Sequence, residues 1–140
     1  MKILLPVDGS EYTTRMLAYL AAHDELLGPG HEFVFLTATP PVPMHVTRFL
    51  SRGDLDAYYD EQVERVLQPV RQFAAQAGWT ARFTSAIGHP AEAIVVAAEA
   101  EKPALLVMGT HGHSALGNVL LGSVTTGVLA RCRVPVLLIR

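Results

Sequence analysis

Cysteine, lysine and long apolar runs are all scarce in this chain, and each scarcity removes a class of function. A single cysteine, Cys132, in 140 residues excludes an internal disulfide framework and any metal site built from cysteines alone. It lies between Arg131 and Arg133 in a stretch that reads as helix, where it is expected to act as a small apolar residue. Lys2 and Lys102 are the only lysines and the formal net charge is −2, so the cationic surface that grips nucleic acid through many phosphates is missing. Hydrophobic residues make up 50% of the chain, but they come in runs of four to six broken by Gly, Pro and charge. None approaches the roughly 18–20 apolar residues that cross a bilayer. The apolar stretch at the N-terminus is too short for a secretory leader and has no small-residue cleavage site. The expectation is one compact, soluble, cytoplasmic domain whose partners include neither nucleic acid nor membrane.

What is present is a clean alternation. Lys2 to Val7 is a short apolar run that reads as a strand buried on both faces. Gly9 breaks it, Ser10 is placed to cap a helix, and apolar residues then recur at helical spacing from Leu17 to Leu27, up to Gly28-Pro29-Gly30. Phe33 to Leu36 is a second strand, followed by a loop opened by Pro40, Pro41 and Pro43 and running to about Gly53. A second helix is expected from Asp54 or Asp56 to Gly78, with a kink or a lost hydrogen bond near Arg65 where Pro69 supplies no donor. Trp79–Ile87 reads as a strand, Ala91–Glu101 as a helix behind Pro90, Ala104–Met108 as a strand, Ser123–Cys132 as a helix and Val134–Ile139 as a last strand. Strands alternating with helices imply right-handed crossovers and an open, doubly wound, five-stranded parallel sheet covered on both faces. In such sheets ligands bind beyond the carboxyl ends of the strands, where strand order reverses.

The segment after the fourth strand carries the chemistry. Gly109-Thr110-His111-Gly112 is followed, with nine residues between, by Gly122-Ser123-Val124-Thr125. Glycines let backbone N–H groups approach an anion, and Gly122-Ser123 falls at a helix N-terminus, where free N–H groups and the helix dipole favour negative charge. With the Ser123 and Thr125 hydroxyls, this pattern suits phosphate held by backbone and hydroxyl groups. It equally suits a long connection whose glycines serve only turns and whose Ser123 is a plain cap. It is not a Walker loop, since Gly-Lys-Ser/Thr occurs nowhere, nor a dinucleotide fingerprint, which would follow the first strand. Asp8 reads either as the turn partner of Gly9 or as a ligand group at the end of the first strand. His111 and His113 could both face a metal, but no third ligand is near them in sequence, and no resident metal site is expected. In the proline-bounded loop, Met44, Val46, Phe49 and Leu50 suit a lid, a partner contact or packing on the domain's own helices.

Several of these segments together resemble the universal stress protein family, over the whole chain and in order. They are Pro6-Val7-Asp8-Gly9-Ser10, Gly88-His89-Pro90-Ala91, Val107 to Gly112, Leu121 to Val124, and Val134 to Ile139. The Gly-x-x-Gly, nine residues, Gly-Ser pattern resembles that of the family's ATP-binding branch. The resemblance implies a sheet of order 3-2-1-4-5. It implies that Pro6, Val7 and Asp8 lie beside the adenosine, that Thr37 and Ala38 flank the adenine, and that Met108 and Gly109 line the nucleoside pocket. Gly112, His113, Gly122, Ser123, Val124 and Thr125 would surround the phosphates of ATP, which would bring Mg²⁺ with it. Two positions depart from the family pattern: histidine stands at 113 where arginine is common, and Ala104 where an aspartate usually opens the fourth strand.

The resemblance further implies a homodimer paired through the C-terminal edge strand. The function expected is that of an ATP-binding stress-response or regulatory module with at most slow hydrolysis, because no phosphate-loop lysine, arginine finger or evident base accompanies the loop. Alternatives are a dimeric interaction module without nucleotide, or a nucleotide α-hydrolase-like enzyme. Those enzymes carry His-x-Gly-His or Ser-Gly-Gly-x-Asp-Ser after the first strand, and neither motif occurs here.

Overall fold

The computed structural model describes residues 1–114 and 117–140, so part of the stretch between Gly112 and Gly122, residues 115–116, lies outside the described residues. Among the described residues the chain forms five strands and six helices. The strands are β1 (Lys2–Pro6), β2 (Glu32–Thr39), β3 (Thr80–Ile87), β4 (Leu105–Gly109) and β5 (Val136–Ile139). The helices are α1 (Glu11–Ala22), α2 (Asp24–Leu27), α3 (Met44–Thr47), α4 (Arg52–Gln76), α5 (Pro90–Glu101) and α6 (Ser123–Arg131). All strands are parallel, in the order β3-β2-β1-β4-β5, with registers such as Leu4 opposite Val34 and Phe35 opposite Phe83.

The central strands are apolar at successive positions because both of their faces are covered. One face sends Ile3, Leu5, Phe33, Phe35 and Val107 against Leu17 and Leu20 of α1 and Leu67 and Val70 of α4. The other sends Leu4, Val34, Leu36 and Leu106 against Ile94 and Ala98 of α5 and Val128 of α6. Trp79 closes the first layer, stacked 4.5 Å from Phe33. Burying each such Leu, Val or Phe side chain contributes roughly 1.5–3 kcal/mol. With β1 central, β2 and β4 lie on its two sides, and the crossovers diverge there. The carboxyl ends of β1, β2 and β4 therefore open a crevice at the point where strand order reverses.

Several local expectations are corrected. The first helix does not run on to Leu27. It breaks at His23, whose ring nitrogen Nδ1 bonds the Tyr19 carbonyl at 2.8 Å and whose backbone N–H turns to Leu20. The imidazole takes the acceptor that helix continuation needs. The long helix begins at Arg52, earlier than Asp54, because Ser51 caps it: Ser51 Oγ accepts from the Asp54 N–H at 3.0 Å and the Asp54 carboxylate accepts in return from Ser51. It runs on through Pro69, as expected, to Gln76, with Leu67, Val70 and Ala74 buried around the proline. Cys132 lies just past α6, in extended backbone, rather than inside the helix.

The loop after β2 contains the short helix α3, started by Pro43. Its Met44 and Phe49 are 85% and 83% exposed, so they do not pack on the domain's own helices. At the amino ends of the strands, Glu101 at the end of α5 accepts from Arg82 at 2.6 Å and from Lys2 at 3.3 Å. These contacts, the Arg82 hydrogen bond foremost, hold the Glu101 carboxyl below its ordinary range.

Candidate functional site

The turn after β1 organises the crevice. Asp8 Oδ1 accepts from the Ser10 N–H at 2.9 Å and from the Thr13 hydroxyl at 3.1 Å, while the Asp8 N–H donates to Thr13 Oγ1 at 3.2 Å. Asp8, and not Ser10, thus supplies the side-chain acceptor at the start of α1. Ser10 sits at the cap position without a side-chain cap bond, and its buried Oγ has no partner among the described residues. Oδ1 is committed to the turn, as the turn reading of Asp8 expects, and Oδ2 faces Gly112. A Cβ built on Gly112 would stand 2.5 Å from that oxygen.

The loop after β4 is held closely. His113 Nε2–H donates to the Asp8 carbonyl at 2.6 Å, bringing the two loops together. His111 Nε2–H donates to the Val119 carbonyl at 2.7 Å, its Nδ1 lies 3.1 Å from Thr110 Oγ1, and its ring rests 5.3 Å from that of Tyr12. Both nitrogens of His111 are engaged. Among the described residues no group of three or more His, Cys, Asp or Glu side chains could hold a metal ion. Gly109 is required by close approach, since a Cβ there would come within 2.7 Å of Tyr12 Cβ.

These elements enclose a cavity of about 600 Å³, within the range usual for small-molecule sites. Pro6, Val7, Asp8, Thr37, Ala38, Met108, Gly109, Gly112, His113, Ser123, Val124 and Thr125 all line it. Gly122 does not. Its N–H donates to the Thr110 carbonyl at 2.8 Å, so it fastens the loop to the end of β4. Thr125 is similarly committed: it is 2% exposed, and its hydroxyl lies 3.0 Å from the Gly109 carbonyl and 3.2 Å from that of Thr110. Ser123 is exposed, and the first N–H groups of α6, at Ser123, Val124 and Thr125, have no acceptor within the helix. Chemically, the described wall offers backbone donors at the start of α6, the exposed hydroxyls of Ser114 and Ser123 and one carboxylate oxygen at the edge of an apolar floor.

Sequence reasoning missed part of this wall. Tyr12 and Thr13 come from the first turn of α1, and Gln62, Arg65 and Val66 from the middle of α4. Thr13 was within reach, because an Asp at a strand end often bonds a hydroxyl in the next turn. The α4 residues carry no local signal, since only the packing of that helix over β2 and β3 brings them to the cavity.

Known proteins share both the sequence and the fold. The chain matches the universal stress protein family over residues 1–140. The "universal stress protein in QAH/OAS sulfhydrylase 3'region" of Thermus aquaticus is 34% identical over 143 residues, covering 99% of this chain and 97% of that relative. The solved structure of the hypothetical protein MJ0577, from Methanocaldococcus jannaschii, superposes with a TM-score of 0.80 at 28% identity, over 99% of this chain and 94% of that one. A universal stress protein from Archaeoglobus fulgidus, solved in complex with dAMP, shares the fold at a TM-score of 0.70 and 19% identity, over 100% and 98% of the two chains. With every residue from β1 to β5 inside the family match, this chain belongs to the universal stress protein family.

Proposed function

We propose that the cavity binds an adenine nucleotide, ATP with Mg²⁺ foremost, and that the protein is an ATP-binding stress-response or regulatory module with at most slow hydrolysis. One observation carries the reading: Gly112 leaves room for Asp8 Oδ2 at the edge of the cavity, while the free N–H groups of α6 line the same space. A carboxylate oxygen suits ribose hydroxyls, and backbone N–H groups at a helix N-terminus suit phosphate. The apolar floor of Val7, Leu36 and Met108 suits a base. The dAMP complex of the similarly folded Archaeoglobus protein supports the reading. Mg²⁺ would arrive with the triphosphate, keeping most of its waters, and Asp8 is the one carboxylate among the described lining residues that could meet it.

Slow turnover follows from the side chains at hand. Asp8 is tied to Ser10 and Thr13, and no second carboxylate lines the described wall to orient a water. The free side of β5, at the sheet edge, takes a second copy of the chain by strand pairing, giving a homodimer. Light scattering across micromolar concentrations tests this; a monomer throughout contradicts it. Calorimetric titration of nucleotide-stripped protein with Mg-ATP, and with AMP in parallel, tests the site. Micromolar binding of ATP, weaker for AMP, is expected. No heat from folded protein would remove the reading.

A further inference from the structure

The loop after β4 accounts for only one side of the cavity. The other side is α4, and it carries Arg65, the only lysine or arginine among the described residues that line the cavity. Arg65 is two-thirds exposed, and its guanidinium donates to Glu61 at 3.1 Å, one turn earlier on the same helix. An exposed pair of that spacing holds a side chain weakly, so the guanidinium is easily surrendered to a better partner. Gln62, one turn from Arg65, lines the same wall with an amide that can both donate and accept.

The topology says which part of a ligand this wall meets. β2 and β4 flank β1 on opposite sides, so their ends stand roughly 10 Å apart. Ser123 and Gly112 come from the β4 side, whereas α4 packs over β2 and β3, the side of Thr37 and Ala38. Val66 approaches Gly9, its Cγ2 lying 3.6 Å from where a Cβ on that glycine would be, so this stretch of α4 reaches the turn after β1 from the β2 and β3 side. A planar, weakly hydrated cation at that place suits the π-face of a base rather than an anion.

We propose that Arg65 is a further binding residue that leaves Glu61 to lie on the base of the bound nucleotide, with α4 forming the nucleoside-side wall of the site. The inference rests on the adenine-nucleotide reading of the cavity. Its mark is an effect independent of the phosphates.

The test is calorimetric titration of the wild-type chain, Arg65→Ala and Arg65→Lys with adenosine, AMP and Mg-ATP. Arg65→Ala should weaken all three ligands by a common factor of about three to tenfold. Arg65→Lys should restore less than half of that loss on a logarithmic scale, because an ammonium lacks the planar face. The exposed position should leave the melting temperature of the ligand-free variants unchanged. Weakening confined to AMP and ATP, full rescue by lysine, or no change in any affinity would each overturn the proposal while leaving the nucleotide site intact. Failure of the wild-type chain to bind any of the three would overturn both.

Discussion

Gly112 stands against the carboxylate of Asp8 so closely that a methyl group at 112 would reach within 2.5 Å of Oδ2. The backbone at 112 lies outside the positive-φ region, so alanine is acceptable to the chain itself and only the carboxylate objects. Because Oδ1 is pinned by Ser10 and Thr13, Oδ2 cannot retreat without breaking that turn. Gly112→Ala should therefore weaken ATP binding by about tenfold or more and lower the melting temperature by about 3–8 °C, the worth of the disturbed turn. Titration and thermal melting of one preparation check both halves.

Asp8 separates turn and ligand roles by oxygen atom. Asp8→Asn keeps an acceptor for the Ser10 N–H and the Thr13 hydroxyl but removes the anionic oxygen beside Gly112. Adenosine affinity should fall by about 10- to 100-fold, the loss of one charge-assisted hydrogen bond, with stability retained. Asp8→Ala should lose the same affinity and about 1–2 kcal/mol of stability besides, because the start of α1 then lacks its acceptor. Equal stability of the two variants would contradict this division.

Ser123 and Thr125, two residues apart, should respond in opposite ways. Ser123 is exposed, and Ser123→Ala should weaken ATP binding about threefold to tenfold without changing stability. Thr125 is buried and bonds the end of β4, so Thr125→Val should cost about 1–2 kcal/mol of stability. Chemical denaturation read beside nucleotide titration distinguishes the two roles.

The ion cluster under the sheet gives a pH signature. The hydrogen bond from Arg82, with Lys2 assisting, lowers the Glu101 carboxyl, so its stabilisation is complete above the ordinary carboxylate value and is lost as pH falls through the lowered one. Glu101→Gln should lose about 0.5–1 kcal/mol at neutral pH, the modest worth of a partly exposed cluster. Its stability should also change less than the wild type's as pH falls below about 4.3, the ordinary glutamate value. Parallel loss in the two proteins would contradict the assignment.

The parts of the molecule that were legible in sequence are those set by short stretches. β1, β2 and β4 read as buried strands because both their faces need apolar residues, and Gly112 and Gly122 mark where the loop after β4 is closely approached, by the Asp8 carboxylate and by the backbone at Thr110 and His111. The break at His23 was not legible, because a side chain captures a backbone acceptor there. The Ser51 cap was legible and was obscured by the run of aspartates behind it. Thr125 looked like a free hydroxyl because nothing local says that two carbonyls from β4 and its loop lie above it. Arg65 and Gln62 were invisible for the same reason: they reach the cavity through the packing of α4 on β2 and β3, a relation between segments far apart in sequence.

The most direct test of the central claim is amide NMR of the nucleotide-stripped protein as Mg-ATP is added. The account predicts saturable shifts at Asp8 and Gly9, Thr37 to Thr39, Gly109 to His113 and Ser123 to Thr125, with the Lys2, Arg82 and Glu101 cluster unmoved. Shifts confined to the exposed edge of β5 or to the helix at Met44, or no saturable shifts at all, would contradict it.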